Sequence, residues 1–254
     1  MRVIKIGGRV QTAAELPGII AAEWRAAPGS LCLVHGGGDE VSRLQRAFGL
    51  EPAFVGGRRV TASHDIELLR MALSGSANKR LVSALGARGV RAIGISGEDA
   101  ALVVARHIDA KELGQVGVPE RVNAEVVQHL LDGGYLPVVS PLSSGLDGDE
   151  TGLGLNVNGD DAAAAIAVAL GADELLLVAD VPGVLANGAL VPSMDADEAA
   201  QAIELGWAHG GMSAKLEAAV RAIDGGVDRV RIGDLSAIGD RRAGTVVTPV
   251  RSKV

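Results

Sequence analysis

Aromatic residues are scarce in this chain of 254 residues: two Trp, two Phe and one Tyr make up 2% of it. The core must therefore be built from Ala, Val, Leu and Ile, within a hydrophobic fraction of 48%. The single cysteine, Cys32, lies in an apolar run, which excludes a disulfide framework and a cysteine-based metal site. The five histidines stand singly, without the spacing of metal ligands, so we expect no protein-bound metal.

Positive charge and long apolar stretches are also lacking. The net charge is −7, and no run of Lys or Arg offers a surface for nucleic acid. The longest nearly unbroken apolar run, residues 162–170, is far shorter than the roughly 18 residues that suggest a membrane span. A strand-like segment opens the chain and leaves no room for a signal peptide. We therefore expect a soluble, cytoplasmic protein without a nucleic-acid or membrane partner.

Glycine, in contrast, is abundant, and its 35 residues fall in short clusters between apolar runs. Residues 3–6 form a strand-like run that ends at Gly7-Gly8, and residues 31–34 form another that ends just before Gly36-Gly37-Gly38. A helical pattern follows each cluster. Repeated strand, glycine turn and helix predict an α/β protein with a mainly parallel sheet.

The remaining periodicity predicts further helices and strands, with a boundary between two lobes near residues 145–154. The division is thus residues 1–150 and 151–254, with a turn or hairpin tip at 145–154. The predicted helices are 12–26, 39–48, 63–85, 122–131, 195–205 and 212–223; the further strands are 91–95, 102–106, 135–139, 174–178, 229–232 and 245–248; a short hairpin covers 54–61. An alanine-rich helix also runs roughly to residue 170, and the stretch 155–162, with its Asn and Asp residues before the apolar run, predicts the approach to that helix and its start.

The glycine turns lie where parallel sheets bind ligands, beyond the carboxyl ends of strands. Glycine lets backbone N–H groups approach an anion, and a following helix start adds a favourable dipole. The turns at 7–8 and 36–38 therefore suggest phosphate handling, although each could be only a tight turn. The chain contains neither Gly-Lys-Ser/Thr nor G-x-G-x-x-G, which excludes a P-loop and disfavours a dinucleotide site.

Two lysines stand out against these turns. Lys5 lies inside an apolar strand, one residue before a glycine pair, where a cation could neutralise a phosphoryl group. Lys215 falls in the first turn of a helix, where it opposes the helix dipole. Asp160 could hold both, although ordinary surface lysines and a helix-start aspartate remain the alternatives. Arg59 is a candidate carboxylate clamp, and we expect its neighbour Arg58 to face solvent.

These motifs, in this order, resemble the amino-acid kinase family across nearly the whole chain. Each motif is weak alone, and the ordered set is specific. The matching stretches are Val3-Ile4-Lys5-Ile6-Gly7-Gly8, Val34-His35-Gly36-Gly37-Gly38, Gly57-Arg58-Arg59-Val60-Thr61, Asn78-Lys79-Arg80-Leu81-Val82, Gly94-Ile95-Ser96-Gly97, Gly134-Tyr135-Leu136-Pro137-Val138, Asn156-Val157-Asn158-Gly159-Asp160, Asp180-Val181-Pro182-Gly183-Val184 and Gly211-Met212-Ser213-Ala214-Lys215.

The resemblance implies a three-layer αβα sandwich that phosphorylates the γ-carboxylate of N-acetyl-L-glutamate with ATP, in arginine biosynthesis. It implies that the N-terminal lobe binds the acyl amino acid and forms a homodimer. The C-terminal lobe would bind ATP, with Mg²⁺ held through the nucleotide phosphates. Carried over by motif, the catalytic residues are Lys5, Lys215 and Asp160; the substrate-binding residues are Gly8, Gly37, Gly38, Arg59 and Asn156; the nucleotide-binding residues are Asp180, Val181, Pro182, Gly183, Val184 and Leu185.

Some positions depart from that pattern and leave alternatives open. Gly159 stands where such kinases usually have Ala, and relatives that act on aminoadipate or glutamate attached to a carrier protein often have Gly. Residues 97–100 depart from the usual Gly-x-Asp-Gly, so the nearby loop could differ. Residues 57–61 favour the free substrate, and an acidic chain suits an acidic carrier poorly. A catalytically silent nucleotide sensor is the third alternative, against which the two lysines and Asp160 speak.

Overall fold

One large β-sheet organises the fold. The computed structural model describes residues 1–146, 152–206 and 208–250. Its strands are β1 (Arg2–Ile6), β2 (Leu31–His35), β3 (Phe54–Val55), β4 (Arg58–Arg59), β5 (Ala92–Gly97), β6 (Val103–His107), β7 (Val116–Val122), β8 (Leu136–Gly145), β9 (Leu155–Val157), β10 (Glu174–Val178), β11 (Leu185–Ala186), β12 (Ala189–Leu190), β13 (Ser193–Asp195), β14 (Arg229–Gly233) and β15 (Thr245–Thr248).

Helices connect most of the strands. They are α1 (Leu16–Ala26), α2 (Gly38–Ala47), α3 (Asp65–Leu69), α4 (Asn78–Gly86), α5 (Ala124–Asp132), α6 (Gly159–Ala169), α7 (Ala196–Glu204) and α8 (Gly211–Asp224). A π-helical stretch, Arg70–Ala77, joins α3 to α4, so the helix predicted over 63–85 is one helical run with a widened middle. Within the described residues, no helix is both long enough and apolar enough to cross a membrane.

The sheet order is β13-β15-β14-β10-β1-β2-β8-β6-β7-β9, with β5 also paired to β8. The central pairs β10–β1, β1–β2 and β2–β8 are parallel, whereas β6–β7 and β14–β15 are antiparallel. Every residue of β1, β2 and β10 is buried. Because successive side chains of a strand point to opposite faces, both faces of the sheet are covered. The predicted fold class is confirmed.

The central strands come from both halves of the sequence. β1 and β2 belong to the first half, and β10 of the second half pairs with β1 along its whole length. The sheet is therefore continuous across the predicted lobe boundary, which itself lies partly outside the described residues, as does the hairpin tip predicted at 145–154. Since these strands run parallel, the turns after β1, β2 and β10 meet at one edge.

Several predicted boundaries shift, and some strands were missed. The first helix begins at Leu16 rather than residue 12, after a 3-10 turn at Val10–Thr12 and with Pro17 in its first turn. The strand β7 was not predicted because Pro119 interrupts its pattern, and the register against β6 shifts there. The short strand β9 lies at the start of the stretch 155–162, where the sequence predicts the approach to a helix.

Candidate active site

Lys5, Asp160 and Lys215 meet at the edge where the central strands end. Lys5 Nζ lies 2.8 Å from Asp160 Oδ1, and Lys215 Nζ donates a hydrogen bond to Asp160 Oδ2 at 3.1 Å. The Asp160 side chain is 5% exposed. The prediction that one aspartate holds both lysines is therefore correct in geometry.

Local sequence determines how the three residues come together. Lys5 is the fourth residue of β1, flanked in register by Val34 and Leu177 of the neighbouring strands. Asn158 caps α6, because its Oδ1 accepts a hydrogen bond from the Asp160 N–H at 2.8 Å. The cap fixes Asp160 in the first helical turn, facing β1.

Burial and charge act against each other in this cluster. Burial lowers the pKa of Lys5 below its ordinary value, and the nearby Asp160 carboxylate only partly offsets that effect. For Asp160, burial alone would raise the pKa, but the ammonium groups of Lys5 and Lys215 hold it below its usual range. Asp160 is thus a carboxylate at neutral pH and a poor proton acceptor.

Glycine turns complete the edge. The Gly8 turn faces the start of α2: a Cβ at Gly8 would lie 3.8 Å from the backbone N of Gly37 and of Gly38. Gly37 has φ of 153°, and a Cβ there would lie 2.6 Å from Leu73 Cδ2, so the position requires glycine. Gly38, the first residue of α2, lines the same cavity as Lys5 and Lys215, so the N-terminus of α2, with its free N–H groups and positive dipole end, borders that cavity.

His35 holds this turn from below and is fully buried. Its Nδ1 is 2.7 Å from the Gly36 carbonyl oxygen and its Nε2 is 3.1 Å from Asn78 Nδ2. Burial lowers the pKa of His35 to about 4. The ring is therefore neutral, donates through Nδ1 and accepts through Nε2, so both ring nitrogens are used to hold the turn.

A cavity of about 170 Å³ opens beside the glycine turns. Its walls include the predicted substrate residues Gly37, Gly38, Arg59 and Asn156, together with Arg58. The structure therefore gathers four of the five predicted substrate residues around one small cavity. Gly8 lines a neighbouring one, of about 310 Å³, that also contains Lys5, Lys215 and Asp180.

Arg59 is oriented by several contacts. Its Nη2 donates to the Gly38 carbonyl oxygen and to Ser42 Oγ, both at 2.8 Å, and Nη1 donates to Gln45 Oε1 at 2.5 Å. The guanidinium also lies over the Phe54 ring, 4.7 Å from its centroid. A fixed guanidinium with N–H groups left over is suited to bind a carboxylate.

Sequence reasoning missed the residues that hold Arg59 and its neighbour. Gln45 Nε2 donates to Asp65 Oδ1 at 2.9 Å, which orients the amide toward Arg59; its spacing of four from the buried Val41 on α2 was the available signal. The expectation that Arg58 faces solvent is wrong. Its side chain is 21% exposed and pairs with the buried Asp161, because the tight hairpin turns it back toward α6.

The predicted nucleotide segment, residues 180–185, follows β10 at the same edge. Asp180 is exposed and accepts from Arg9 Nη1 at 2.9 Å. Val184 is buried, and its N–H donates to Thr245 Oγ1 at 2.8 Å. Val181, Pro182 and Gly183 form the bend before Leu185, which starts β11.

The acidic side chains at this edge are paired with cations of the protein. Among the residues that the structure describes, no group of three or more His, Cys, Asp or Glu could hold a metal ion. Asp160 is occupied by two ammonium groups and Asp180 by Arg9. These carboxylates do not form a Mg²⁺ site, so phosphate oxygens would have to be its main ligands.

The departure at residues 97–100 produces a strained turn. Ala100 and Ala101 have φ of 50° and 51°, values that favour glycine. Asp99 supports the turn, because its Oδ2 accepts from the Ser96 N–H at 2.6 Å and from Ser96 Oγ at 2.9 Å. Glu98 Oε1 accepts a hydrogen bond at 2.6 Å from Nη2 of Arg70, which is the first residue of the π-helical stretch.

Comparisons with known proteins agree with this geometry. The model of the amino acid kinase family matches residues 1–234. The chain is 42% identical over 258 residues to an acetylglutamate kinase from Methanopyrus kandleri, covering 97% of this chain and 100% of the relative. It is 43% identical over 251 residues to an acetylglutamate kinase from Roseiflexus castenholzii, covering 96% and 93%. The crystal structure of smu.665 from Streptococcus mutans UA159 has a TM-score of 0.87 at 31% identity, over 97% of this chain and 98% of that one. The chain therefore belongs to the amino acid kinase family.

Proposed function

We propose that this protein transfers the γ-phosphoryl group of ATP to the γ-carboxylate of N-acetyl-L-glutamate, a step of arginine biosynthesis. The observation that carries the proposal is the meeting of Lys5 and Lys215 on buried Asp160, beside a cavity bordered by Arg59. The relatives that are 42% and 43% identical are acetylglutamate kinases, which supports this acceptor.

The chemistry needs charge stabilisation rather than a general base. A carboxylate acceptor is already ionised at neutral pH, so its oxygen attacks the phosphorus directly. Negative charge on the transferring group is then stabilised by the two lysines and by the backbone N–H groups around Gly8, Gly37 and Gly38. Asp160 keeps both ammonium groups in place. Its depressed pKa makes it unsuited to accept a proton.

Arg59 and Asn156 are proposed to hold the acyl amino acid. Arg59 would bind its α-carboxylate through its charge and through the N–H groups that its bonds to Gly38, Ser42 and Gln45 leave over. Asn156 reaches the same cavity, and its Nδ2 donates to Thr61 Oγ1 at 2.9 Å, which orients its carbonyl oxygen. The N-terminal lobe, residues 1–150, thus supplies most of the acceptor site.

ATP is proposed to bind the C-terminal lobe, residues 151–254. Residues 180–185 border its position, and the cavity containing Lys5, Lys215 and Asp180 would receive the phosphates. Mg²⁺ would arrive on those phosphates and neutralise part of their charge. Lys215 of α8 then faces the phosphoryl group from the nucleotide side, and Lys5 faces it from the acceptor side.

The alternatives are weaker. Gly159 raised the possibility of carrier-linked aminoadipate or glutamate, and a Cβ there would approach Lys5 Cε to 3.2 Å. The relatives that this chain matches over nearly its full length are acetylglutamate kinases, and they do not favour a carrier-linked substrate. A silent nucleotide sensor would not need Lys5 and Lys215 paired with one buried carboxylate at the edge of a cavity.

A direct assay tests the proposal. Purified protein with MgATP should form an acyl phosphate from N-acetyl-L-glutamate, trapped as its hydroxamate, together with stoichiometric ADP. N-acetylaminoadipate and a carrier-linked glutamate should react much more slowly. ADP release without hydroxamate would indicate an ATPase, and faster turnover of the carrier-linked substrate would overturn the choice of acceptor.

We further propose a cytoplasmic homodimer that associates through the N-terminal lobe. Exposed apolar side chains there, Phe48 at 62% and Met71 at 52%, provide contact surface. Light scattering of the purified protein should give twice the chain mass. A monomer at micromolar concentration, or an assembly that survives replacement of both residues by Ser, would contradict this interface.

A further inference from the structure

A second buried aspartate follows Asp160 and takes no part in the lysine cluster. Asp161 is 4% exposed, and its Oδ2 accepts hydrogen bonds from Arg58 Nη1 and Nη2, each at 3.0 Å. Its other oxygen, Oδ1, accepts from Arg221 Nη2. One carboxylate therefore bridges two arginines that are distant in sequence.

The bridged elements are those that carry the proposed site. Arg58 is in β4 beside Arg59, and it lines the substrate cavity. Arg221 is on α8, six residues after Lys215, which is about 9 Å along a helix. The arrangement repeats the plan of the lysine cluster: a cation from the first part of the chain, a carboxylate at the start of α6 and a cation of α8.

We propose that Asp161 is a positioning residue that fixes the substrate hairpin, residues 54–59, relative to α8. Through Arg58 and Arg221 it sets the distance between Arg59, which binds the acceptor, and Lys215, which meets the phosphoryl group. The inference rests on the proposed function, because it concerns how that site is held. Phosphoryl transfer depends steeply on such distances.

A purely local role for Asp161 makes a different prediction. An acidic residue in the first turn of α6 favours the helix dipole, and that effect requires neither arginine. A local role would therefore lower stability in Asp161 variants and leave Arg58 and Arg221 variants without kinetic effect. A connecting role makes all three residues affect the same kinetic constant.

The first test is Asp161→Asn in the full chain, which keeps the shape of the side chain and removes its charge. We expect KM for N-acetylglutamate to rise about tenfold and KM for ATP to change less than about twofold. Asp161→Glu, which keeps the charge, should recover part of the loss. The matched control is Arg106→Gln: Arg106 lines the same groove as Arg221 and pairs with Glu120 at the surface, so KM should not change.

The second test compares Arg58→Gln, Arg221→Gln and the double variant. If Asp161 connects the hairpin to α8, losing either arginine breaks that connection. The double variant should then have the same KM as the more affected single variant. Independent local effects would instead multiply. Multiplying effects overturn the proposal, as does a normal KM in folded Asp161→Asn.

Failure of the proposed function is distinguishable from failure of this inference. If the wild-type protein does not phosphorylate N-acetylglutamate, the proposed function fails. Amide hydrogen exchange then tests the positioning role of Asp161 without an activity assay. We expect Asp161→Asn to exchange faster than wild type both at residues 54–59 and in the first turn of α8. Faster exchange confined to α6 would overturn the inference.

Discussion

The strand β1 carries a residue of a buried ion cluster near each end, Arg2 and Lys5, and the two clusters are built differently. At the amino ends, Arg231 Nε donates to Glu174 Oε1 at 2.6 Å, and Arg2 Nε lies 3.5 Å from Glu174 Oε2. At the carboxyl ends, Lys5 and Lys215 share Asp160. Glu174 also pairs with Arg229 and Arg241, so among the described residues four arginines surround this carboxylate, whereas two lysines surround Asp160.

The difference lies in what occupies the remaining N–H groups. Arg231 also donates to the carbonyl oxygens of Ala237, Asp240 and Ala243. Its guanidinium therefore holds the segment 237–243 against β14. Lysine ammonium groups have three N–H donors each, and among the described residues the contacts of Lys5 and Lys215 centre on Asp160. Donors that are bonded within the protein, as in Arg231, stabilise the fold, whereas ammonium groups that line a cavity, as those of Lys5 and Lys215 do, can bind a substrate.

The largest expected effect is at the amino-end cluster. Glu174→Gln leaves buried Arg231 without its carboxylate and removes one of the two carboxylates that face Arg2, so the free energy of unfolding should fall by about 3–5 kcal/mol. Urea denaturation measures the loss. Molecules that remain folded should keep the wild-type kcat, because this cluster lies at the far end of β1.

The control for Glu174 is Glu120→Gln, which removes an exposed ion pair with Arg106. It should cost no more than about 1 kcal/mol. If Glu174→Gln were as stable as this control, or lost kcat while folded, the two clusters would not differ as described.

At the carboxyl-end cluster, the effect should appear in catalysis. Lys5→Ala or Lys215→Ala should lower kcat by roughly 10²-fold or more, which is about 3 kcal/mol of transition-state stabilisation. Circular dichroism should show the fold retained. Lys111→Ala, at an exposed position, is the control and should keep kcat. A near-normal kcat in a folded variant would remove that lysine from the site.

Arg59 should affect substrate binding more than turnover. Arg59→Ala removes a charged group that binds the substrate carboxylate. We expect the free energy of acyl amino acid binding to weaken by about 2 kcal/mol, so its KM should rise roughly 30-fold. Arg59→Lys should recover little, because an ammonium lacks the planar fork. Initial-rate kinetics with each substrate varied in turn separate the two constants. An unchanged KM would transfer the clamp to Arg58, which lines the same cavity.

The smallest effect concerns pH. Burial lowers the pKa of Lys5, and Asp160 raises it in part, so kcat should fall as pH rises through a value below that of free lysine. Asp160→Asn removes the raising influence, so the alkaline limb should then move to lower pH. Rate profiles from about pH 6 to 10 test this. A limb that stays in place would show that Lys5 does not control it.

Much of this architecture could be predicted from sequence, because the signals were local. Apolar runs that end at glycine pairs marked the central strands, and parallel order then placed their turns together. Lys5 was detectable because a cation inside a fully buried strand contradicts its pattern. The start of α6 was detectable because Asn158, a residue type that favours helix N-caps, precedes an alanine-rich run.

The rest depended on contacts that sequence spacing does not reveal. Asp161 meets Arg58 across 103 residues and Arg221 across 60, and no local pattern connects them. Asp161 itself reads as an ordinary acidic residue of a first helical turn. Likewise, β9 has three residues, too few to show the alternation on which strand prediction depends.

The cap at Asn158 also limits how this family member could diverge. Successive residues of a helix are rotated by 100°, so Asp160 and Asp161 face different partners only while the cap keeps its distance from them. One residue inserted or deleted between Asn158 and Asp160 would present the wrong carboxylate to each pair of cations. We therefore expect the spacing of Asn158, Asp160 and Asp161 to be kept in any variant that retains both ion clusters.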